Sequence, residues 1–366
     1  MSATTLTKAA WCLATFLLVT LASTLVMGGC AGGGGGAGTG VGSGAGSGSG
    51  VGGVRRDGAA LWAVAIHGGA GTLDRGAPAE QIKAYRAALE GALAEATARL
   101  ERGEAAVDVA QAVVMRLEDD AKFNAGVGAA FTAEGGHELD ASIMEGHTLR
   151  CGAVAGVTTV RSPIGLARLV MDRTRHVLLA GAGAERFADE MGVARVPNAH
   201  FDTPRRREMW EQWKREQAGA TSAAIMSTPD VRFGTVGCVV LDVRGHLASA
   251  TSTGGLTGKR WGRVGDSPVI GAGTYADARV AVSCTGTGEE FIRHGVARAL
   301  ASRVELAGES VDEAARHLVF KVLKPDDGGL IAVDAGGSIS TPYNSEGMYR
   351  AGASSRGVRF VSIWQE

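Results

Sequence analysis

The chain has 366 residues, 45% of them hydrophobic, and its 37 basic and 38 acidic side chains leave a net charge of -1. That length and apolar content suffice for one large or two ordinary buried cores. The balanced charge excludes the broad basic field on which nucleic-acid binding depends, so small molecules and peptides are the expected partners.

Residues 1–30 read as an export signal: Lys8 supplies a positive region, and residues 11–26 form a mostly apolar run that ends in small side chains. Met27-Gly28-Gly29-Cys30 is similar to a bacterial lipoprotein cleavage box, with Cys30 as the lipidated residue. The expectation is an exported protein of the periplasm or cell envelope that touches the membrane only through its N-terminal lipid or signal. Residues 31–60 follow as a tether, nearly pure Gly, Ser and Ala to position 53, too poor in apolar surface to fold. With Cys12 and Cys30 assigned to the signal, Cys151, Cys238 and Cys284 remain. They lack metal-ligand spacing and the eight histidines are scattered, so no zinc site is expected.

The folded part begins at Leu61. Residues 61–66 form a short apolar run that breaks into His67-Gly68-Gly69-Ala70-Gly71, as a buried strand entering a glycine turn does. Ile82, Tyr85, Leu89, Leu93, Ala96 and Leu100 recur at steps of three and four and predict an amphipathic helix, and residues 105–117 predict a second. Ser162-Pro163 marks another helix start, and Ser310 with Glu313 forms a capping box. Residues 198–233 are polar and weakly patterned and read as a mobile surface segment, with Arg205 to Arg207 as a solvated basic face. Strands are expected at 236–242 and 246–253 around a hairpin turn, and again at 330–334 and 338–341. Antiparallel hairpins flanked by helices indicate an α+β layered fold.

Gly234-Thr235-Val236-Gly237 places a hydroxyl at the first position of a strand, directly after a glycine. Attack of the Thr235 hydroxyl on the Gly234 carbonyl would give an ester, and its hydrolysis would free the Thr235 amine. An α-amino group titrates near pH ~8, so Thr235 would then carry its own base. Thr251-Ser252-Thr253 ends the strand expected to pair with this one. Arg263 and Asp266 lie in a glycine-bounded loop and can hold the carboxylate and ammonium of an amino-acid substrate. Thr285-Gly286-Thr287-Gly288 offers a hydroxyl and free N–H groups just before a helix, as an oxyanion hole requires.

These motifs, with Phe123-Asn124-Ala125-Gly126-Val127-Gly128, Glu138-Leu139-Asp140-Ala141 and Asn344-Ser345-Glu346-Gly347, give the chain from Leu61 onward a resemblance to the plant-type L-asparaginase and isoaspartyl (beta-aspartyl) peptidase family of Ntn-hydrolases. The resemblance implies a four-layer αββα sandwich spanning 61–366, self-cleaved into an α chain, 61–234, and a β chain, 235–366, that assemble as (αβ)2. It implies Thr235 as nucleophile, Thr253 tuning it, Thr285 and the Gly286 N–H as oxyanion hole, and Asn124 supporting the nucleophile's surroundings. Arg263 would bind the α-carboxylate, and Asp266 with the Gly288 carbonyl the α-ammonium, of a small-molecule or dipeptide substrate. No catalytic cofactor is implied, but a structural sodium ion on the backbone carbonyls of Leu117, Glu118 and Phe123 is. The alternatives are a glycosylasparaginase, which shares the nucleophile and the Gly-Arg-Val-Gly-Asp loop, and an inactive envelope-tethered binding protein.

Overall fold

The computed structural model describes residues 60–71, 75–218 and 234–365. The expected signal, Cys30 and nearly all of the tether lie outside the described residues. In chain order the strands are β1 (Ala63–Ala70), β2 (Leu139–Glu145), β3 (Cys151–Val157), β4 (Leu178–Ala180), β5 (Val236–Leu241), β6 (Leu247–Thr253), β7 (Thr274–Ala276), β8 (Val280–Gly286), β9 (Gly328–Asp334), β10 (Ile339–Ser340), β11 (Met348–Ser354) and β12 (Arg359–Ser362). The α-helices are α1 (Ala79–Glu101), α2 (Ala106–Glu118), α3 (Pro163–Arg173), α4 (Gly181–Glu190), α5 (Pro204–Ala218), α6 (Gly288–His294), α7 (Val296–Leu306) and α8 (Val311–His317).

One sheet has the order β12-β11-β1-β5-β6-β2-β3-β4 and the other β10-β9-β8-β7. Every pairing is antiparallel except that of β3 with β4. Strand alternation sorts the apolar residues into three cores. Val64 and Ile66 of β1 and Val236, Cys238 and Val240 of β5 face α1, α2 and α3. Ala63, Ala65, Val239 and Leu241 face the second sheet, where they meet Ala281, Ile331 and Val333. Val280, Val282, Leu330 and Ala332 point the other way onto α7 and α8. Helix, sheet, sheet, helix is the only stacking that puts three separate cores on two sheets, so the αββα sandwich follows from the period-two pattern.

The helices form where the three-and-four spacing places them. Leu89, Leu93 and Leu100 of α1 are fully buried, each worth about 1.5–3 kcal/mol of burial. Ser162 accepts from the Gly165 N–H with Pro163 at the first helical position, and Ser310 and Glu313 close the capping box.

One expectation is corrected. Residues 204–218 of the segment read as mobile form helix α5, while 219–233 lie outside the described residues. Only Arg206 of α5 is buried, so the helix has no apolar stripe for periodicity to detect. Aromatic contacts hold it instead: Trp210 stacks on Phe131 at 5.5 Å and the Arg207 guanidinium lies 5.1 Å from the same ring. Nor is Arg205 to Arg207 wholly a solvated face: Arg207 is exposed and donates to Asp202, but Arg205 is half-buried and donates to the Tyr85 hydroxyl, and Arg206 is buried with Nε on the Gly128 carbonyl. Burial, reinforced by the neighbouring Arg205 charge, lowers Arg206 to about 10.

Leu89→Ala, which empties a fully buried site, is expected to reduce unfolding free energy by about 2–5 kcal/mol. A shifted urea midpoint at unchanged slope would register it, and an unmoved midpoint would contradict the packing described.

Candidate active site

The hairpin joining β5 to β6 sets the site's geometry. Asp242 N–H donates to the His246 carbonyl and Gly245 N–H to the Asp242 carbonyl, both at 2.9 Å, closing a tight turn with Gly245 at φ 81°. This turn pairs Val236 with Ser252 and Gly237 with Thr251. One step further the Thr235 hydroxyl donates to Thr253 Oγ1 at 3.1 Å, and both residues are buried. Thr253 Oγ1 also accepts from the Gly255 N–H at 3.1 Å.

Asn124 ties the bond before Thr235 to this strand end. Its N–H donates to the Gly234 carbonyl at 2.9 Å and its carbonyl accepts from the Gly254 N–H at 3.0 Å. Its side chain donates to the Gly255 carbonyl and accepts from the Ala130 N–H, both at 2.7 Å. Gly69 presses from the other side: at φ 108°, a Cβ there would lie 2.5 Å from the Gly234 Cα, so only glycine lets β1 pass. The carbonyl that self-cleavage would attack is thus held between two elements next to a buried hydroxyl.

The loop after β6 carries the charged pair. Asp266 is almost fully buried, and desolvation, opposed by the Arg263 charge, raises its carboxyl to about 7. Gly288, first residue of α6, lies against both: a Cβ there would sit 2.8 Å from an Arg263 guanidinium nitrogen and 3.1 Å from Asp266 Oδ1. Thr285 Oγ1 accepts from the Ala70 N–H at 3.2 Å, which leaves its own proton free to serve another acceptor. Thus the structure joins Thr235, Thr253, Asn124 and Gly234 directly, groups Arg263, Asp266 and Gly288, and places Thr285 and Gly286 at the end of β8.

Three features were not read from the sequence. Arg263 is forked onto Glu289, Nε to Oε1 at 2.9 Å and Nη2 to Oε2 at 2.8 Å, and this pairing holds the Glu289 carboxyl below its ordinary range. Lys259 is buried, donates to the Glu138 carbonyl at 2.9 Å and lies 3.9 Å from Asp140, the register partner of Thr253. His67 is buried at the end of β1's apolar run, and its ring nitrogens meet the Thr235 carbonyl and the Ser283 hydroxyl. The partner in each case is far along the chain, and a single sequence holds no signal for that distance.

The loop expected to hold sodium offers a partial oxygen set. The Ala121 and Phe123 carbonyls converge on Gly128, where a Cβ would come within 2.7 and 2.6 Å of them. The Leu117 and Glu118 carbonyls accept from Asp120 and Val127 at 3.3 and 2.7 Å, and each retains a second lone pair. Such neutral oxygens fit a hard cation. Among the described residues no group of three or more His, Cys, Asp and Glu side chains is placed to bind a metal, and Cys151, Cys238 and Cys284 are unpaired thiols.

Residues 60–363 match the asparaginase family. The chain belongs to that family. It is accordingly an enzyme, a hydrolase of the threonine-nucleophile type whose chemistry needs no catalytic cofactor. It is 47% identical to the isoaspartyl peptidase of Salmonella typhimurium, over 83% of this chain and 98% of that protein. It is 46% identical to the isoaspartyl peptidase of Escherichia coli, over 83% and 96%. It is 39% identical to the plant-type L-asparaginase of Pyrococcus furiosus, over 78% and 94%.

These relatives correct the expectation of export. The two bacterial peptidases are accounted for over 98% and 96% of their own lengths, which leaves no counterpart in them for a leader or for Cys30. Among the described residues no helix is long and apolar enough to cross a membrane. A periplasmic or envelope location as a lipoprotein is therefore withdrawn.

Asp266 makes a stability prediction. A carboxyl raised in the folded state contributes stability fully below its unfolded value and loses it as pH rises through the folded one, here about 7. Asp266→Asn, which never ionises, should therefore gain stability relative to the parent as pH rises from 4 to 8. Urea midpoints across that range whose difference stays constant would refute this.

Proposed function

We propose that the chain cuts itself between Gly234 and Thr235 and then hydrolyses isoaspartyl peptides and L-asparagine, releasing L-aspartate. The observation that carries this reading is the Thr235 hydroxyl buried against Thr253, next to a Gly234 carbonyl held by the Asn124 N–H. In the uncut chain the hydroxyl attacks that carbonyl, and the Asn124 N–H sits where negative charge develops on its oxygen. The Gly234–Thr235 C–N bond breaks as its nitrogen takes up the hydroxyl proton. Water then hydrolyses the resulting ester, leaving a Gly234 carboxylate and a free Thr235 amine.

In the mature enzyme that amine takes the proton of its own hydroxyl, and Oγ1 attacks the side-chain carbonyl of the substrate. The Thr285 hydroxyl, with its acceptor role filled by Ala70, donates to the oxyanion together with the Gly286 N–H. The leaving amine departs with the proton, and water resolves the aspartyl ester. Arg263 receives the α-carboxylate, sharing its guanidinium with Glu289, and Asp266 with the Gly288 carbonyl receives the α-ammonium. Sodium, where bound, would be held by the carbonyls of Leu117, Glu118 and Phe123 and would stiffen the loop preceding Asn124. Assembly of two cleaved units as (αβ)2 belongs to the same reading.

Intact mass spectrometry of protein lacking residues 1–53 should give two fragments parting between Gly234 and Thr235, and Thr235→Ala should give one uncut, inactive chain. Uncut, fully active Thr235→Ala protein would end the proposal. Arg263→Ala should still cleave itself but raise KM about 10- to 100-fold, since a hydrogen bond to a charged group is worth roughly 1.5–3 kcal/mol. A β-aspartyl dipeptide should turn over faster than an N-acetylglucosamine–asparagine conjugate, and the reverse order would favour a glycosylasparaginase.

A further inference from the structure

Cleavage before Thr235 creates a mechanical problem. Residue 235 becomes a chain terminus, and termini fray unless they are tied down. Its hydroxyl must nonetheless stay where it was. One backbone contact of residue 235 survives cleavage unchanged, because it is made to the carbonyl and not to the nitrogen: His67 Nδ1 lies 3.1 Å from the Thr235 oxygen, and Nε2 lies 2.9 Å from Ser283 Oγ.

The protons in this contact can be assigned. A carbonyl only accepts, so Nδ1 carries the hydrogen. Burial drives the ring down to about 3, with no charged group contributing, so the imidazole is neutral and Nε2 must accept. Ser283 then spends its one proton on Nε2. Its oxygen, 2.7 Å from Thr251 Oγ1, accepts from Thr251, whose oxygen in turn accepts from Thr274 at 2.5 Å. The shortest contacts therefore order all three hydroxyls toward His67 and the Thr235 carbonyl, the Ser267 and Gly273 carbonyls lying farther off at 3.3 and 3.4 Å from Thr274 and Thr251, and each bond polarises the next. The row runs between the two sheets, from β7 to β6 to β8 to β1, and ends on β5. Gly237 makes room for it: a Cβ there would lie 2.3 Å from His67 Nε2 and 2.0 Å from Ser283 Oγ.

We propose that His67 is the positioning residue of the nucleophile, a neutral donor at the end of an oriented hydroxyl row that fixes the carbonyl of residue 235 once its amine is free. Holding that carbonyl fixes ψ of the terminal residue and with it the direction in which Cβ and the hydroxyl project. The proposal rests on the self-cleavage reading above. It gives His67 no part in proton transfer.

The test compares His67→Leu, His67→Gln and Ser283→Ala with the parent, following self-cleavage by intact mass and hydrolysis of a β-aspartyl dipeptide by steady-state kinetics. A parent that neither cleaves nor turns over would defeat the functional reading without bearing on His67, so the two failures are separable. His67→Leu should lower kcat of the cleaved enzyme on the order of 100-fold, the scale of a misplaced reacting group, with KM changed less than about threefold. His67→Gln, which can donate to Thr235 and accept from Ser283, should recover most of kcat and keep the parent's pH profile. A rise in KM alone, no rescue by glutamine, or loss of a pH limb near neutrality in His67→Gln would overturn the proposal. Should His67→Leu fail to fold, Ser283→Ala decides. It deletes only the hydroxyl that fixes the ring's tautomer, kcat is expected to fall about tenfold, and an unchanged kcat overturns the proposal.

Discussion

The register between β5 and β6 is the constraint on which the rest of the site depends. Side chains alternate along a strand, so a slip of one residue would turn Thr235 away from Thr253 and bring Val236 to the position facing it. The turn at 242–245 prevents the slip locally, and the apolar alternation prevents it globally, since Cys238 and Val240 belong to one core and Val239 and Leu241 to another. With the register fixed, Thr251 and Ser252 fall on opposite faces. Thr251 joins the hydroxyl row between the sheets, whereas Ser252 donates to the buried Glu118 carboxylate at 2.6 Å on the helix side. A short turn thus determines which hydroxyls meet Thr235 and which brace α2 against the sheet.

The interior between the sheets is unusual in being both tightly packed and polar near the site. Ser249, Thr251, Thr274, Ser283 and Thr285 are all buried there. Each hydroxyl finds a partner, so the cost of removing it from water is offset by hydrogen bonds within the protein. Asp266 is one exception, as are the neighbouring Ser267 hydroxyl and Asp140 Oδ2. Asp266 Oδ2 has no hydrogen-bond partner and its carboxyl is strained toward the protonated form. A buried carboxylate that is under-solvated in this way has much to gain from a cationic partner, which is the sense in which the proposed ammonium role suits it.

Much of this was legible in the sequence wherever the signal is local. The helices α1 and α2, the capped starts of α3 and α8, and both hairpins follow from spacing or from turn chemistry, and the threonine before β5 stands out by its neighbours. Helix α5 was not legible, because it is held by Trp210 and Arg207 against Phe131 on an otherwise polar surface and shows no apolar stripe. Arg206 illustrates the same limit: an arginine among arginines reads as solvated, and only the fold puts the Gly128 carbonyl beneath it. The fork of Arg263 onto Glu289 and the clasp of His67 on Thr235 join motifs that were individually visible, but the geometry linking them belongs to the three-dimensional structure alone.

The strand order has a consequence for the protein once cut. In the larger sheet β1 belongs to the N-terminal piece and lies between β11 and β5, both from the C-terminal piece, while β6 of the C-terminal piece pairs with β2 of the other. The two pieces are interleaved like the fingers of clasped hands, with three ladders of backbone hydrogen bonds between them. Cutting the chain there would therefore not create two subunits able to part and reassemble. Separation would require the sheet itself to come apart, so a break at Gly234 would change the chemistry of one residue while leaving the two pieces joined through the sheet.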